Sequence, residues 1–204
     1  MKTILHIKSS SNLGGSVTRN IGALTMKGLK EKHPDSRTIE RDLVTSNIPH
    51  VSPEFLGAMF SGKNDDSSLA LSRQLIDELS VSDIIVLEAP MYNFSIPSVL
   101  KAWIDHVVRA GKTFQYGATG PQGMLTGKRA IFVLGRGGVY SEGPYKIMDY
   151  QETYLRAILG FIGITEVESI YIEGVAMGPE KVTQALATAT ERAYAVTHHE
   201  QTPD

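Results

Sequence analysis

The chain has 204 residues, no cysteine and a formal net charge of −2. This length allows one domain with a sizeable core, and the lack of cysteine excludes disulfides, thiolate metal sites and a cysteine nucleophile. Charges of both signs are spread along the chain, which argues against a nucleic acid or a membrane surface as the main partner. The N-terminal run lacks the pattern of a signal peptide, and no stretch reaches the roughly 20 apolar residues of a membrane span. We therefore expect a cytoplasmic protein.

Strand-like and helix-like segments alternate along the chain. Continuously apolar runs are typical of strands covered on both faces, and apolar residues three and four positions apart predict helix faces. We predict strands at 3–8, 36–43, 83–90, 129–135 and 167–174. We predict helices at about 16–32, 53–60, 71–79, 97–111, 148–162 and 179–197, and a hairpin within 112–128.

Strands that alternate with helices predict an α/β fold, in which a parallel sheet carries helices on both faces. Five strands and five main helices fit a flavodoxin-like doubly wound sheet in the order 2-1-3-4-5. Because we find no internal repeat and no long linker, we expect a single domain over residues 1–204. In such sheets ligands bind beyond the carboxyl ends of the strands. The loops after residues 8, 89 and 135 are therefore the candidate binding loops.

The first of these loops, KSSSNLGGSVTRN at 8–20, has the residues of a phosphate cradle. Ser10, Ser16 and Thr18 supply hydroxyl groups, and two successive glycines let the backbone approach a ligand. The following helix adds unpaired N–H groups and a positive dipole end. The loop is neither a Walker A motif nor G-x-G-x-x-G, so a terminal monophosphate suits it better than a dinucleotide. A capped helix after a polar loop is the alternative.

The other two loops, LEAPMYNFSIP at 87–97 and LGRGGVYSEGP at 134–144, could hold a flat ring. Asn93 and backbone N–H groups could face the polar edge of the ring, while Met91 and an aromatic side chain border its plane. Close approach of the backbone is implied by three glycines directly after the strand, Gly135, Gly137 and Gly138. Local aromatic packing and a tight turn are the alternatives. Together the three loops predict a mononucleotide, and flavin mononucleotide (FMN) is the natural candidate.

Several segments together resemble the FMN-dependent NADH:azoreductase family, within the flavodoxin-like NAD(P)H:quinone reductase group. These segments are KSS…GGSVT, APMYNFSIPSVLKAWIDHVVRAGKTFQY, GPQGMLTGK, GRGGVY and LGFIGI. The resemblance covers essentially the whole chain and implies a homodimer with two flavin sites at its interface. It also implies FMN contacts at Ser10, Ser16, Val17, Thr18, Met91, Tyr92, Asn93, Phe94, Gly135, Arg136, Gly137 and Gly138.

Two positions depart from the family pattern. Many members have serine where this chain has Gly135, so one hydroxyl contact is missing. Some have histidine where Tyr140 stands, and we expect Tyr140 to serve there as a possible hydrogen-bond donor. Three aromatic residues are candidates for the substrate pocket: Phe60 in the 44–68 loop, Tyr116 in the hairpin and Phe161. Covering its own turn is the alternative for Tyr116, and plain core packing is the slightly favoured alternative for Phe161.

The expected mechanism is a two-step exchange through one site. NADH, or NADPH, passes a hydride to the flavin and leaves, and an azo compound or quinone then accepts the electrons, which gives ping-pong kinetics. Backbone N–H groups would stabilise the reduced ring. No side-chain nucleophile and no metal site are expected. A flavodoxin-type electron carrier and a non-catalytic flavin-binding protein remain the alternatives. A phospho-receiver domain is set aside, because it would need acidic residues after strand 1 and an aspartate after strand 3, where this chain has Ser9–Ser11 and Met91–Asn93.

The histidines and the single tryptophan have simpler interpretations. We expect His6 to be a satisfied core residue and His106 to be solvated or at an interface. His198 and His199 belong to the C-terminal tail and have no third metal ligand nearby. Trp103 lies on an apolar helix face, which favours core or dimer packing.

Overall fold

The computed structural model describes residues 1–62 and 66–198; positions 63–65 and 199–204, among them His199, lie outside the described residues. The strands are β1 (Thr3–Lys8), β2 (Arg37–Asp42), β3 (Ile84–Pro90), β4 (Phe114–Gly117), β5 (Gly120–Gly123), β6 (Arg129–Gly135) and β7 (Glu166–Ile172). Five of them form a parallel sheet in the order β2-β1-β3-β6-β7. This confirms the predicted order, with β2 at one edge. That the whole chain forms one domain stays a prediction.

Helices cover both faces of this sheet. They are α1 (Val17–Lys32), α2 (Pro53–Ser61), α3 (Ala70–Ser80), α4 (Ser98–Val107), α5 (Glu152–Phe161) and α6 (Pro179–His198). Successive strand residues point to opposite faces: Leu5 and Ile7 join the core under α3, α4 and α5, whereas Ile4 joins the core under α1 and α6. Because the central strands β3 and β6 feed both cores, their sequences are largely apolar, with the buried Glu88 as an exception in β3. The edge strand β2 is mostly polar. No helix of the described residues is long and apolar enough to cross a membrane.

Two helix ends differ from the predicted ones because side chains cap them. The hydroxyl of Thr113 accepts a bond from the Arg109 N–H at 3.0 Å and donates to the Val107 carbonyl at 2.7 Å, so α4 ends at Val107 rather than near Gly111. The Asp149 carboxylate accepts from the N–H groups of Gln151 at 3.1 Å and Glu152 at 3.0 Å. The helix predicted from 148 therefore begins at Glu152, after a 3₁₀ turn.

The predicted hairpin exists as the antiparallel pair β4–β5, which we call the arm. Its base rests on the end of α5, where the Leu125 N–H donates to the Ile162 carbonyl at 2.9 Å. A Cβ added at Gly123 would lie 2.1 Å from the backbone nitrogen of Gly163, so the two chains meet backbone to backbone. Tyr116, in the arm, is 76% exposed.

Three of the residues assigned simple roles can now be placed. His6 is a satisfied core residue, as predicted: its Nε2 lies 2.6 Å from an oxygen of the fully buried Glu88. Trp103 lies in the core. The expectation that His106 is solvated is wrong, because α2 covers this part of α4. His106 is buried, with its Nε2 3.0 Å from the Pro49 carbonyl and its ring edge-on to Phe55.

Candidate functional site

The loop between β1 and α1 ends in a helix N-terminus with free donors. Ser16 is the N-cap, and its Oγ accepts from the Arg19 N–H at 3.3 Å and lies 2.9 Å from the Thr18 hydroxyl. The N–H groups of Val17 and Thr18 have no acceptor among the described residues, as expected for the first turn of a helix. Ser10 lies buried beside them. Hydroxyl and N–H donors at a positive helix end form a site for an anion such as a phosphate.

A cation that the sequence analysis missed fixes the shape of this loop. Arg19 forms two bonds to the Asp42 carboxylate, at 2.6 and 3.1 Å, and donates a third to the Ser10 carbonyl at 2.8 Å. The bond to Asp42 raises the pKa of Arg19, although burial opposes it. Asp42 is the last residue of β2, so only the sheet topology brings it to the loop.

The loop after β3 is held in an unusual backbone conformation. Tyr92 and Ser95 exchange two backbone hydrogen bonds, at 2.9 and 3.0 Å, across a turn made by Asn93 and Phe94. Both turn residues are left-handed, with φ of 48° and 68°, a conformation that costs non-glycine residues energy and clusters at functional sites. The N–H groups of both have no acceptor among the described residues. The Tyr92 hydroxyl accepts from the Ser11 N–H at 3.3 Å and so joins this loop to the first.

The loop after β6 presents three successive N–H groups. The carbonyls of Arg136, Gly137 and Gly138 accept from the N–H groups of Val175, Ala176 and Gly174, respectively, at 3.0–3.2 Å. In a planar trans peptide the N–H points opposite to the carbonyl. The N–H groups of residues 137, 138 and 139 therefore point away from the β7 side, towards the loop after β3. None of the three has an acceptor within the part of the chain that is described.

Tyr140 connects the two ring-facing loops. Its ring lies over Gly138, where an added Cβ would be 3.2–3.4 Å from the ring and hydroxyl atoms. The same ring stands edge-on to Phe94, with 6.0 Å between centroids. The Tyr140 hydroxyl has no hydrogen-bond partner among the described residues, so it keeps a free donor beside the site.

A cavity of about 360 Å³ lies where the three loops meet. Nine of the twelve predicted cofactor residues line it: Ser10, Ser16, Val17, Thr18, Met91, Tyr92, Gly135, Arg136 and Gly137. Asn93, Phe94 and Gly138 lie outside its lining. Five further lining residues are not among those twelve: Asn12, Gly15, Pro90, Val175 and Val182. The first three lie in the predicted loops, and Gly15 is one of the two glycines of the predicted cradle. The two valines follow β7, and no motif in that part of the sequence indicated a site.

Arg136 contributes to this cavity through its backbone. Its guanidinium is fully buried and turned away, bonded to Glu173 at 2.9 Å, Asp149 at 2.8 Å and the Gln151 amide oxygen at 2.9 Å. A cation that is already paired with carboxylates is not a free ligand for a phosphate.

The three aromatic residues predicted for the substrate pocket are not brought together within one chain. Phe60 at the end of α2 is 80% exposed, Tyr116 points out from the arm, and neither lines the cavity. Phe161 packs against Phe114 at 4.6 Å between centroids and borders the core, which was the favoured alternative for it.

A larger cavity of about 500 Å³ lies elsewhere, between α1 and β2, with Lys8, Lys27 and Lys30 in its lining. Of the three loops only Lys8, which is the last residue of β1, reaches it. The smaller cavity is the candidate site, because it lies at the carboxyl edge of the sheet, where ligands of doubly wound folds bind.

Comparisons with known proteins identify the family of the chain. Residues 2–196 match the Flavodoxin_2 family, described by its flavodoxin-like fold. An FMN-dependent NADH:quinone oxidoreductase of Herminiimonas arsenicoxydans is 48% identical over 192 residues, which are 92% of this chain and 94% of that protein. One from Azotobacter vinelandii is 45% identical over 197 residues, 94% and 98% of the two chains.

The solved structures show the same relationship. The crystal structure of an azoreductase from Bacillus anthracis superimposes with a TM-score of 0.90 at 30% identity and covers 97% of this chain and 99% of the other. The family resemblance inferred from the motifs is thereby confirmed. The chain belongs to the flavodoxin-like family whose members include the FMN-dependent NADH:quinone oxidoreductases.

Proposed function

We propose that the protein is an FMN-dependent oxidoreductase that uses NADH to reduce quinones. The names of its relatives support this assignment, and the donors of the candidate site fit the cofactor. The observation that carries the proposal is that N–H groups of residues 17–18, 93–94 and 137–139, none with an acceptor among the described residues, lie at one edge of the sheet.

The two ends of the site suit the two ends of FMN. Ser10, Ser16 and the N–H groups of Val17 and Thr18 would hold the phosphate at the N-terminus of α1. The N–H groups of the loops after β3 and β6 would face the polar edge of the ring, with Met91 and Tyr92 at its border.

When bound, FMN supplies two-electron hydride exchange between NADH and an acceptor, which we propose follows ping-pong kinetics with quinones and with azo compounds. The protein's part is to bind and orient the cofactor and to set its electrostatic surroundings. Fixed N–H dipoles at residues 137–139 favour negative charge on the ring edge without reorganising during the reaction. No side chain of the site has to act as a nucleophile.

An absorption experiment on the purified protein tests the proposal. We expect a yellow protein whose visible bands bleach on anaerobic addition of NADH and return on addition of menadione or methyl red. Double-reciprocal plots of initial rate against NADH concentration, measured at several fixed quinone concentrations, should give parallel lines. Intersecting lines contradict a shared site. A protein that stays colourless after incubation with FMN refutes the assignment. Bound FMN that NADH does not bleach indicates instead an electron carrier or a non-catalytic flavoprotein.

We also propose that the protein acts as a homodimer with the flavin sites at the interface. Phe60 and Tyr116 are exposed in one chain, and a second copy could bring such aromatic side chains over the cavity. Light scattering on the FMN-loaded protein should give twice the chain mass of 22.3 kDa, and a monomer with full activity contradicts the proposal. The cytoplasmic location stays a prediction.

A further inference from the structure

One carboxylate holds the whole turn that follows the N–H groups of residues 137–139. Glu173, directly after β7, has a side chain only 12% exposed. Its Oε1 accepts from the N–H groups of Tyr140 at 2.8 Å and Ser141 at 2.9 Å, and its Oε2 accepts from the Ser141 hydroxyl. A single side chain thus fixes two successive peptide units next to the Tyr140 ring.

Arg136 holds this carboxylate in place. Its buried Nη1 bonds the same Oε1 of Glu173 at 2.9 Å, while Asp149 and Gln151 orient the rest of the guanidinium. The Gln151 amide in turn donates to the Ala89 carbonyl at 2.9 Å. A continuous chain of hydrogen bonds therefore connects the end of β3 with the end of β7, underneath the candidate site.

The contacts on the two sides of the turn complement each other. Backbone bonds to 174–176 fix the carbonyls of residues 136–138, and Glu173 fixes the N–H groups of residues 140 and 141. The intervening N–H groups of 137–139 are thereby held facing the cavity side. A fully satisfied polar network of this kind makes its parts rigid.

We infer that Glu173 is a positioning residue, which aims the N–H groups of residues 137–139 and the ring of Tyr140 at the bound cofactor. This inference rests on the proposed function. The decisive property is the length of the Glu173 side chain, which puts Oε1 where it accepts three hydrogen bonds. The negative charge is secondary. The residue touches no cofactor and acts only through the loop.

Two single substitutions separate reach from charge. Glu173→Gln keeps an oxygen at the Oε1 position without the charge, and its amide can still bond the Ser141 hydroxyl. Glu173→Asp keeps the charge but withdraws the oxygens by one methylene. Glu142→Gln is the matched control, since Glu142 is an exposed carboxylate in the same loop and has no hydrogen bond among the described residues.

The readouts are the FMN dissociation constant, from quenching of flavin fluorescence, and the midpoint potential of the bound flavin. For Glu173→Asp we expect FMN to bind about tenfold more weakly. We also expect reduced flavin to be disfavoured over oxidised flavin by a further tenfold, which lowers the two-electron potential by about 30 mV. Glu173→Gln and Glu142→Gln should stay within about threefold of the wild type in both measurements.

The inference is overturned if Glu173→Asp behaves like the wild type, or if Glu173→Gln is the more damaging of the two. Urea unfolding of each variant shows whether weaker FMN binding comes from a general loss of stability. If the midpoint potential shifts only as far as the stability falls, the inference is also overturned. A wild-type protein that binds no FMN overturns the proposed function as well. A wild type that binds FMN and is reduced by NADH, with unaffected variants, overturns the positioning role alone.

Discussion

Replacing Gly135 by alanine should disturb the phosphate end of the site by displacing Thr18. A Cβ at this position would lie 2.7 Å from Cγ2 of Thr18 and 3.3 Å from Cγ2 of Val17. Carbon atoms in contact normally stay about 3.5–4.0 Å apart, so Thr18 has to retreat by about 1 Å. Thr18 is fully buried and its hydroxyl is bonded to Ser16, so neither rotation nor displacement is free.

The expected size of the effect follows from these contacts. Overpacking a well-packed core costs about 1–3 kcal/mol, whereas replacing glycine by alanine returns about 0.4–1 kcal/mol through the unfolded chain. We therefore expect the Gly135→Ala protein to lose about 1–2 kcal/mol of stability. Moving the N–H of Thr18 away from the phosphate should also weaken FMN binding about tenfold.

The assays are urea unfolding of the apoprotein and fluorescence titration with FMN. Gly137→Ala is the matched control for urea unfolding, because a Cβ there would meet only the Ala176 Cβ at an ordinary 3.4 Å, and its φ is not left-handed. Since Gly137 itself lines the cavity, the wild type is the reference for FMN titration. Thr18→Ser removes the clashing methyl group, so the double variant Gly135→Ala/Thr18→Ser should recover about 1 kcal/mol or more in a double-mutant cycle. The reasoning is refuted if Gly135→Ala matches Gly137→Ala in urea unfolding and the wild type in FMN binding, or if the cycle shows no coupling.

Three further predictions concern the elements around this site. Ser16→Ala removes the N-cap of α1 and should cost about 1 kcal/mol in urea unfolding together with weaker FMN binding; unchanged binding would remove Ser16 from the cradle. Gly22→Ala would place a Cβ 1.9 Å from Oε1 of the buried Glu88. Alanine has the better helix propensity, by about 1 kcal/mol, but we expect the clash to outweigh it and to lower the melting temperature. A higher melting temperature contradicts the packing of α1 on β3. Burial raises the pKa of Asp42, but the bonds from Arg19 and from the Val44 N–H, with the positive charges of Arg19 and Lys8, together outweigh this and hold the pKa below its ordinary value of 3.8. The stabilisation is therefore present above about pH 4 and is lost as the pH falls through the lower folded-state pKa. Asp42→Asn should flatten the acid limb of a stability–pH profile, and an unchanged profile speaks against the ion pair.

Sequence patterns predicted the strands and the meeting of the three loops, because both follow from burial and from the geometry of a parallel sheet. The strands at 84–90 and 129–135 are covered on both faces, so they are apolar apart from the buried Glu88 and the first residue, Arg129. Parallel strands put their following loops at one edge, so three loops far apart in sequence could be placed together.

Contacts between distant segments could not be predicted in the same way. The bond from Arg19 to Asp42 depends on register between β1 and β2. Phenylalanine has no preference for a left-handed backbone, so the residue type does not predict the φ of 68° at Phe94. The orientation of His106 depends on α2, a separate helix that covers it.

The backbone contact at the base of the arm limits how this protein can change over evolution. Since any side chain at Gly123 would collide with the main chain at Gly163, natural variation can hardly move the attachment point by exchanging residues there. The two residues between β4 and β5 are exposed, so insertions or deletions at that tip can lengthen or shorten the arm while its base stays fixed. Diversity in how far the arm extends beyond Tyr116 should accordingly arise through loop length rather than through point substitution at the joint.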